Sequence, residues 1–526
     1  MKILSAAEMS EVDRLTTAKY GVAGLTLMEN AGHGVAEFVQ KLFSNFARRR
    51  ILVFCGKGNN GGDGFVTARH LRENGAGVSV YLFGDPRDVK GDAATNLERW
   101  RKIAEPVIDA QGTGTTLPKF QDGDIIVDAL LGTGVRGPVE GPLGRVISAI
   151  NQHPADSAVI AVDIPSGLDA DSGHAPGAVI LADYTVTFTA PKLGLVLREG
   201  PGHTGTLVVR EIGSPLSLVE QTAKSALRWS EASEFTRFSF PRKAAGHKGD
   251  YGHALIVSGA LGKSGAAVMA GTAALRAGAG LVTVGTPEPV LPIVAAHTPE
   301  IMTEPLAATL TGTVSERCLE GNLFGKLLEG KRVLALGPGL TTQQETQEFV
   351  RRVVRSRADL PLILDADGLN AFAGQGGELR SVKGLLAITP HPGEMARLLG
   401  CATQEVQANR VEIALKAARD WNASVVLKGY QTVAAAPDGR GWINSTGNPG
   451  MGTAGTGDVL TGILAGLTAQ YGRDSWPQML AFGVYLHGLA GDIAYAGVGG
   501  APLLATDLIG CLPRAFHQFY NECGRG

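Results

Sequence analysis

Two doubly wound α/β domains in tandem are what this sequence predicts, and three observations predict them. The chain has 526 residues, more than one hydrophobic core ordinarily serves when domains run to roughly 150 residues each. Apolar strand-like runs alternate with helical patterns, which implies parallel sheets covered by helices on both faces. The alternation lapses once, in the polar, small-residue stretch SPLSLVEQTAKSALRWSEAS, and then resumes. The reading is therefore a first domain at 1–213, a linker at 214–226 and a second domain at 227–526.

In the first domain the runs 51–55, 124–127, 158–162, 184–189 and 207–209 are the predicted strands. In the second they are 254–257, 281–284, 333–336, 362–364, 386–388, 424–427 and 432–436, with helices at 265–277 and 404–421 among those between them. No short tandem repeat or low-complexity block interrupts either half.

Composition narrows the function classes. Hydrophobic residues make up 44% and charged residues 19%, an ordinary globular balance, whereas 72 glycines imply many loops in which backbone must come close to something. A formal net charge of −2 provides no basic footprint for nucleic acid or an anionic membrane, and Arg48-Arg49-Arg50 reads as a solvated face before a strand. Five scattered cysteines without CxxC spacing fit neither a disulfide framework nor a zinc site and point to a reducing cytoplasm. Glu8, Glu11 and Asp13 stand where a signal peptide needs an apolar core, and no eighteen apolar residues run together, so a soluble, unexported protein is expected.

The most informative segment is Gly455-Thr456-Gly457-Asp458, followed by Val459, Leu460, Ile463, Leu464 and Leu467 at helical spacing. Small residues leave amides bare at a helix N-terminus, where the amides and the dipole attract anions, and Asp458 stands beside them to take a proton. That combination suits phosphoryl transfer to a hydroxyl. By itself such a tetrapeptide fits a capped turn equally well. Other residues at predicted strand ends strengthen the chemical reading: Gly337-Pro338-Gly339, Asp365-Ala366-Asp367, His391-Pro392-Gly393-Glu394 and Lys428-Gly429 would share one rim with Asp458. No GxxxxGK[ST] motif is present, so a nucleotide is held differently from a P-loop enzyme.

In the first domain, Gly56–Gly64 (GKGNNGGDG) lies between a strand and a helix, a glycine-rich loop able to approach a pyrophosphate. Asn60, Asp128 and Ser166 fall at three successive strand ends. Oxygen-bearing and with one carboxylate among them, they form a suitable shell for a hard, monovalent cation.

NPGMGTAGTGDVLTGILAGL, with GPGL, DADGLN, TPHPGE and LKGYQT before it in this order, resembles the ribokinase-like NAD(P)H-hydrate dehydratases over about 227–515. The resemblance implies that hydrated NADH or NADPH is dehydrated while ADP, in bacteria, or ATP is cleaved, the hydroxyl being phosphorylated before phosphate leaves. ADP is the expected co-substrate, giving AMP and phosphate. By the same resemblance Lys428, Gly429, Tyr430, Gln431, Thr432 and Gly457 contact the nucleotide, while Gly339, His391 and Asp458 contact the hydrate. Mg²⁺ is expected from the phosphoryl chemistry, held through phosphates and water since no carboxylate cage is apparent.

NNGGDG, VDALLGTGVRGP and VDIPSGLDADSG likewise resemble the Rossmann-like NAD(P)H-hydrate epimerase domain over about 5–213. That family interconverts R and S hydrates and binds K⁺. The resemblance implies Asn60, Asp128 and Ser166 as K⁺ ligands. Asn59, Asn60, Gly61, Gly62 and Asp63 would cradle the hydrate, with Gly132, Thr133, Gly134, Val135, Arg136, Gly137 and Pro138, and Asp163 would contact it. Epimerisation at a hydroxyl-bearing carbon needs an acid–base group, for which Asp163 is the first choice, with Lys192 at the next strand end assisting. Fused, an epimerase supplies an S-selective dehydratase with the other half of its substrate. The competing reading is a ribokinase-type small-molecule kinase whose first domain is a nucleotide-binding scaffold. Small-molecule substrates are the expected partners, and homo-oligomer formation is compatible with such folds.

Overall fold

Most of the strand runs, such as ILVFC at 51–55 and AVIAV at 158–162, are continuously apolar rather than alternating, because a parallel sheet covered on both faces has no wet side. The computed structural model describes residues 1–526 except 104–106, 111–116, 240–241, 243, 357–359 and 526. It divides into two compact units, Lys2–Ser225 and Ala226–Gly526 with Met1.

The first unit carries β1 (Arg50–Gly56), β2 (Gly77–Phe83), β3 (Ile108–Asp109), β4 (Ile125–Ala129), β5 (Ala158–Val162), β6 (Tyr184–Phe188) and β7 (Thr206–Arg210). All pairings are parallel, in the order β3-β2-β1-β4-β5-β6-β7. Along β1, Ile51, Val53 and Cys55 enter one core with Phe65 and Trp100, while Leu52 and Phe54 enter the other with Tyr81 and Ile126. The strand order reverses between β1 and β4, where ligands collect in such sheets. Residues 214–225, expected as linker, lie with this unit instead. They include the helix Leu216–Thr222, whose Leu218 and Val219 are buried, and Lys224 N donates to Glu8 Oε1 at 2.7 Å. Arg50, read as part of a solvated run, opens β1 and pairs with the buried Asp124 at 2.6 Å.

The second unit adds β8 (Leu227–Trp229), β9 (His253–Val257), β10 (Leu281–Pro287), β11 (Met302–Leu306), β12 (Val333–Leu336), β13 (Leu362–Leu364), β14 (Leu386–Ile388), β15 (Ser424–Leu427), β16 (Val433–Ala435) and β17 (Gly441–Ile443). Their order is β11-β10-β9-β12-β13-β14-β15-β16-β17-β8, parallel except where β16 meets β15 and β17. Strands β2, β3, β8, β11 and β17 are additional to the predicted ones. Four of these are short or, like β11 with its Glu304 and Pro305, mostly exposed edge pieces without an apolar run. The predicted helix 404–421 is two, Thr403–Ala408 and Arg410–Trp421, broken at Asn409, whose ψ is 41°. Among the described residues no helix is long and apolar enough to cross a membrane.

The helix Thr456–Tyr471, which carries Asp458, is fixed by close approach to the helix Ser264–Arg276. A Cβ added at Gly462 would lie 2.2 Å from the Ala270 carbonyl oxygen, and one at Gly466 2.3 Å from that of Ala274. Only hydrogen fits at either place, so two glycines one turn apart set the height of the helix N-terminus. Gly462→Ala should therefore lower stability by about 1–3 kcal/mol through overpacking. Gly510→Ala, in the open middle of the helix Ala505–Glu522, should be neutral or stabilising by about 0.5–1 kcal/mol. Urea unfolding of the two variants checks the contrast.

Candidate active sites

At the carboxyl ends of the first unit's strands lies a cavity of about 830 Å³. Asn59, Asn60, Asp63, Gly132, Thr133, Gly134, Val135, Asp163 and Lys192 line it. The helix Asn59–Glu73 begins there without a side-chain cap, leaving its first amides available. Gly61 and Gly62 do not line the cavity but face protein. A Cβ on Gly61 would meet the Gly56 carbonyl oxygen at 1.9 Å, so Gly61 lets the helix close onto β1, and one on Gly62 would meet the Met28 sulfur at 2.6 Å, so Gly62 lets it close onto the helix Gly24–Leu42. Arg136, Gly137 and Pro138 also lie outside the lining; Arg136 is exposed and reaches Asp171 at 3.4 Å.

Lys192 is buried and its ammonium bonds the Asp163 carboxylate, Thr187 Oγ1 at 3.0 Å and the Phe188 carbonyl at 3.1 Å. Asp163 occupies left-handed backbone at φ 65°, unusual for a residue with a side chain and costing about 1–3 kcal/mol, which marks a conformation imposed by its surroundings. Two further carboxyls face the same ammonium. Asp63 is pushed well above its ordinary range by burial, then by the Asp163 and Asp13 charges. Asp13, from the helix Ala6–Tyr20, is raised to about 6, chiefly by burial. One lysine is thus shared among three carboxyls.

Beside this cavity, Asp128 is fully buried and its pKa rises to about 6 because burial penalises its charge. It accepts from Ser166 Oγ at 2.6 Å and Ser166 N at 2.8 Å. Asn60 donates to the Leu131 carbonyl at 2.8 Å, which turns its Oδ1 into a buried position with no hydrogen-bond partner. Asn60, Asp128 and Ser166 are thus brought together, with an unpaired acceptor among them.

In the second unit, the helix Thr456–Tyr471 has Gly455 as its N-cap at φ 91°, with no side-chain cap bond, so the first-turn amides are bare. Asp458 is not the cap but the third helical residue, and its carboxylate makes no hydrogen bond among the described residues. Its pKa is raised to about 6, first by burial and then by Asp365, with Lys428 acting in the opposite direction. Lys428, at the end of β15, places Nζ 2.6 Å from Asp365 Oδ1 and 3.7 Å from Glu394 Oε2. A Cβ on Gly457 would lie 3.5 Å from that ammonium, so lysine, bare amides and Asp458 share one place. Asp365 is buried and its second oxygen accepts from Thr461 at 2.6 Å.

The remaining predicted residues surround this centre. Gly339 packs against the Lys263 carbonyl, and Lys263 reaches Asp367 at 3.5 Å. His391 is the N-cap of the helix Pro392–Leu399: its Nδ1 accepts from Gly393 N at 3.1 Å, and Glu394 returns a bond to His391 N at 2.7 Å. It is half exposed, and its Nε2 lies 3.4 Å from Glu394 Oε1, so both ring nitrogens have protein neighbours. Lys428, Gly429, Tyr430, Gln431 and Thr432 form the β15–β16 turn, closed by Thr432 Oγ1 on the Gly429 carbonyl at 2.9 Å.

Three residues that sequence reasoning passes over also serve these sites. Arg410 donates to the carbonyls of Leu427 and Lys428 at 3.1 and 3.2 Å, and burial lowers its pKa to about 10. His487, held neutral by burial with its pKa near 4, bonds the Thr456 carbonyl at 2.9 Å. Asp13 lines the first cavity. None lies at a strand end or in a glycine loop, so no local signal singled them out.

Comparison with known proteins is consistent along the chain. A family model described as YjeF-related protein N-terminus matches residues 24–194, and one described as NAD(P)H-hydrate dehydratase matches 254–514. The chain is 45% identical to the bifunctional NAD(P)H-hydrate repair enzyme Nnr of Moorella thermoacetica, over 99% of this chain and 98% of that protein. It is 37% identical to the Escherichia coli protein of the same name, over 94% of this chain and 90% of that one. Among solved structures, the ADP/ATP-dependent NAD(P)H-hydrate dehydratase of Bacillus subtilis, co-crystallised with ATP and Mg²⁺, is 34% identical and covers 56% of this chain and 100% of that chain, at a TM-score of 0.46.

The buried pair in the second unit makes a prediction of its own. Asp365→Asn leaves the Lys428 ammonium with the more distant Glu394 and the Asp458 charge, so the second unit should lose about 3 kcal/mol, the low end for breaking a buried ion pair because Lys428 keeps some exposure. Denaturant unfolding followed in both units should show the loss in the second alone.

Proposed function

The chain belongs to the bifunctional NAD(P)H-hydrate repair enzymes, and we propose that Asp458 carries its dehydratase reaction as general base while Asp163 and Lys192 carry its epimerase reaction. The first unit interconverts the R and S hydrates of NADH and NADPH. The second dehydrates the S hydrate at the expense of ADP, yielding the reduced dinucleotide, AMP and phosphate.

One observation supports the dehydratase assignment most: an unpartnered carboxylate in the first turn of a helix whose amides are bare, beside a lysine ammonium. Hydroxide leaves carbon poorly and phosphate leaves well. Asp458 takes the proton of the ring hydroxyl, whose oxygen attacks the terminal phosphorus of ADP as AMP departs. The Thr456–Tyr471 amides and Lys428 meet the charge on the transferring phosphoryl group. Phosphate then leaves with the C–O bond pair, a ring proton is lost, and the double bond re-forms. Mg²⁺, when bound, would neutralise charge on the nucleotide phosphates and would be held through them and water. Lys428, Gly429, Tyr430, Gln431, Thr432 and Gly457 hold the nucleotide. Gly339, His391 and Asp458 contact the hydrate.

In the epimerase unit, Asn59, Asn60, Asp63 and the loop Gly132–Val135 receive the hydrate, with Asp163 at the reacting carbon and Lys192 holding its carboxylate. Asn60, Asp128 and Ser166 fit K⁺. An orphaned Asn60 Oδ1 and a buried carboxylate without a cationic partner are what a weakly hydrated monovalent ion would relieve, and its charge would favour the substrate's phosphates. A ribokinase-type kinase would use Asp458 in the same way but has no use for the charged cavity of the first unit. All five cysteines are free, the state that the reducing cytoplasm maintains.

Purified protein mixed with each hydrate should restore the reduced nicotinamide absorbance only when ADP or ATP is added; recovery without nucleotide removes the phosphorylation mechanism. Asp458→Asn should abolish recovery from both epimers with nucleotide binding little changed. Because the Asp458 pKa lies near 6, the base form is lost as pH falls, so S-hydrate turnover should decline through about pH 6. The same shift has the opposite sign for stability. A carboxyl with a higher pKa folded than unfolded disfavours the fold once ionised, so the inactive Asp458→Asn should melt no lower than the parent at pH 8. Asp163→Asn should leave the S hydrate unaffected and slow use of the R hydrate, measured as early rates ahead of spontaneous epimerisation.

A further inference from the structure

The helix Ala6–Tyr20 lies ahead of the stretch matched by the epimerase-side family model, yet it forms a wall of the first cavity. Its position is fixed at its N-terminus. Leu4 N donates to the Pro191 carbonyl at 2.9 Å, and Leu193 N donates to the Leu4 carbonyl at 2.8 Å, so the N-terminal segment clasps the backbone on either side of Lys192. Ser5 and Glu8 then close a capping box, and Ala6 N donates to Asp171 Oδ1 at 2.6 Å. Two turns along this anchored helix stands Asp13. It lines the cavity, and its Oδ1 is buried without a hydrogen-bond partner. A helix held this firmly could have carried an apolar residue there; an unpaired carboxyl instead has a use that the protein alone does not satisfy.

We propose that Asp13 is the second proton-transfer group of the epimerase, acting on the substrate hydroxyl from a different wall of the cavity than Asp163. The inference rests on the epimerase reading of the first unit and completes it. Hydration of a dihydropyridine enamine puts the hydroxyl on the carbon bonded to the ring nitrogen, since that nitrogen stabilises the cation formed on protonation. Configuration is then inverted by breaking and remaking the C–O bond. The acid form of Asp13 gives its proton to the hydroxyl, and water leaves with the C–O bond pair while the nitrogen lone pair forms C=N. A water then attacks the opposite face and gives its proton to Asp163. That proton returns to Asp13 through the released water, so nothing is consumed, and the reverse reaction exchanges the two roles. Only one partner needs to be protonated at a time. Asp163 is held in its ion pair with Lys192, whereas burial raises Asp13 to about 6. The charged side chains that share the cavity wall with Asp13 are Arg14, Lys57, Asp63, Asp92, Asp163 and Lys192.

The test uses the full chain and R hydrate in H₂¹⁸O. The parent should introduce ¹⁸O into the hydroxyl as it epimerises. Asp13→Asn should slow both R-to-S conversion and oxygen exchange by roughly 10²–10⁴-fold, and lose the bend near pH 6 in the parent's pH profile, while ADP-dependent recovery from the S hydrate stays at the parent rate. Asp13→Asn that converts R hydrate within about threefold of the parent, far short of a lost acid–base group, overturns the proposal. If that variant does not fold, Asp13→Glu decides: a loss of oxygen exchange of about tenfold or more with normal S-hydrate recovery supports it, and undiminished exchange overturns it. A parent that fails to convert R hydrate at all would instead overturn the epimerase reading beneath the inference.

Discussion

A single lysine ammonium shared among several carboxyls is the arrangement on which both sites depend. In the first unit Lys192 bonds Asp163 while Asp13 and Asp63 face the same charge. In the second Lys428 bonds Asp365 and lies near Glu394, with Asp458 within its field. One cation cannot hold several buried carboxyls in their ionised forms, so those left over are driven upward. Asp13 and Asp458 each come to rest near 6, where a carboxyl exchanges protons readily at physiological pH. The paired carboxylates, Asp163 and Asp365, hold the lysine in place.

These charges gather where they do because parallel sheets leave no other location for polar chemistry. Both faces of β1, β4 and β5, like those of β9, β12 and β13, are covered, so charge and ligand collect beyond the carboxyl ends of the strands. The glycines serve the same geometry. At the helix Asn59–Glu73 they let backbone close onto β1, and at Gly462 and Gly466 they let the Asp458 helix descend onto its neighbour. The bare amides at these helix N-termini are thus held by packing farther along each helix, as much as by the loop that precedes it.

The local signals of the sequence were legible to different degrees. Long apolar strands were readable because burial on both faces leaves an unbroken hydrophobic run, whereas the short strands β3, β8 and β17 and the polar edge strand β11 have no such run to show. The stretch at 214–225 looked like linker because seven residues of helix, with two buried side chains, are too few to display a period. Strand-end motifs pointed to Asp163 and Lys428, and the glycine run at a helix N-terminus pointed to Asp458. Asp13, Arg410 and His487 sit on helices without any marker in their neighbours.

The sequence by itself determined the two doubly wound domains, the membership in the hydrate-repair family and the strand-end residues, since each is written in local periodicity or in a contiguous motif. Tertiary structure alone decided which of those residues face a cavity. Gly61, Gly62 and Arg136 point into protein or solvent, His391 caps a helix, and Asp13 joins Lys192 from 179 positions away. The physical reason is that side-chain direction and charge neighbourhood depend on how distant elements stack, and a raised carboxyl pKa exists only after those elements have excluded water around it.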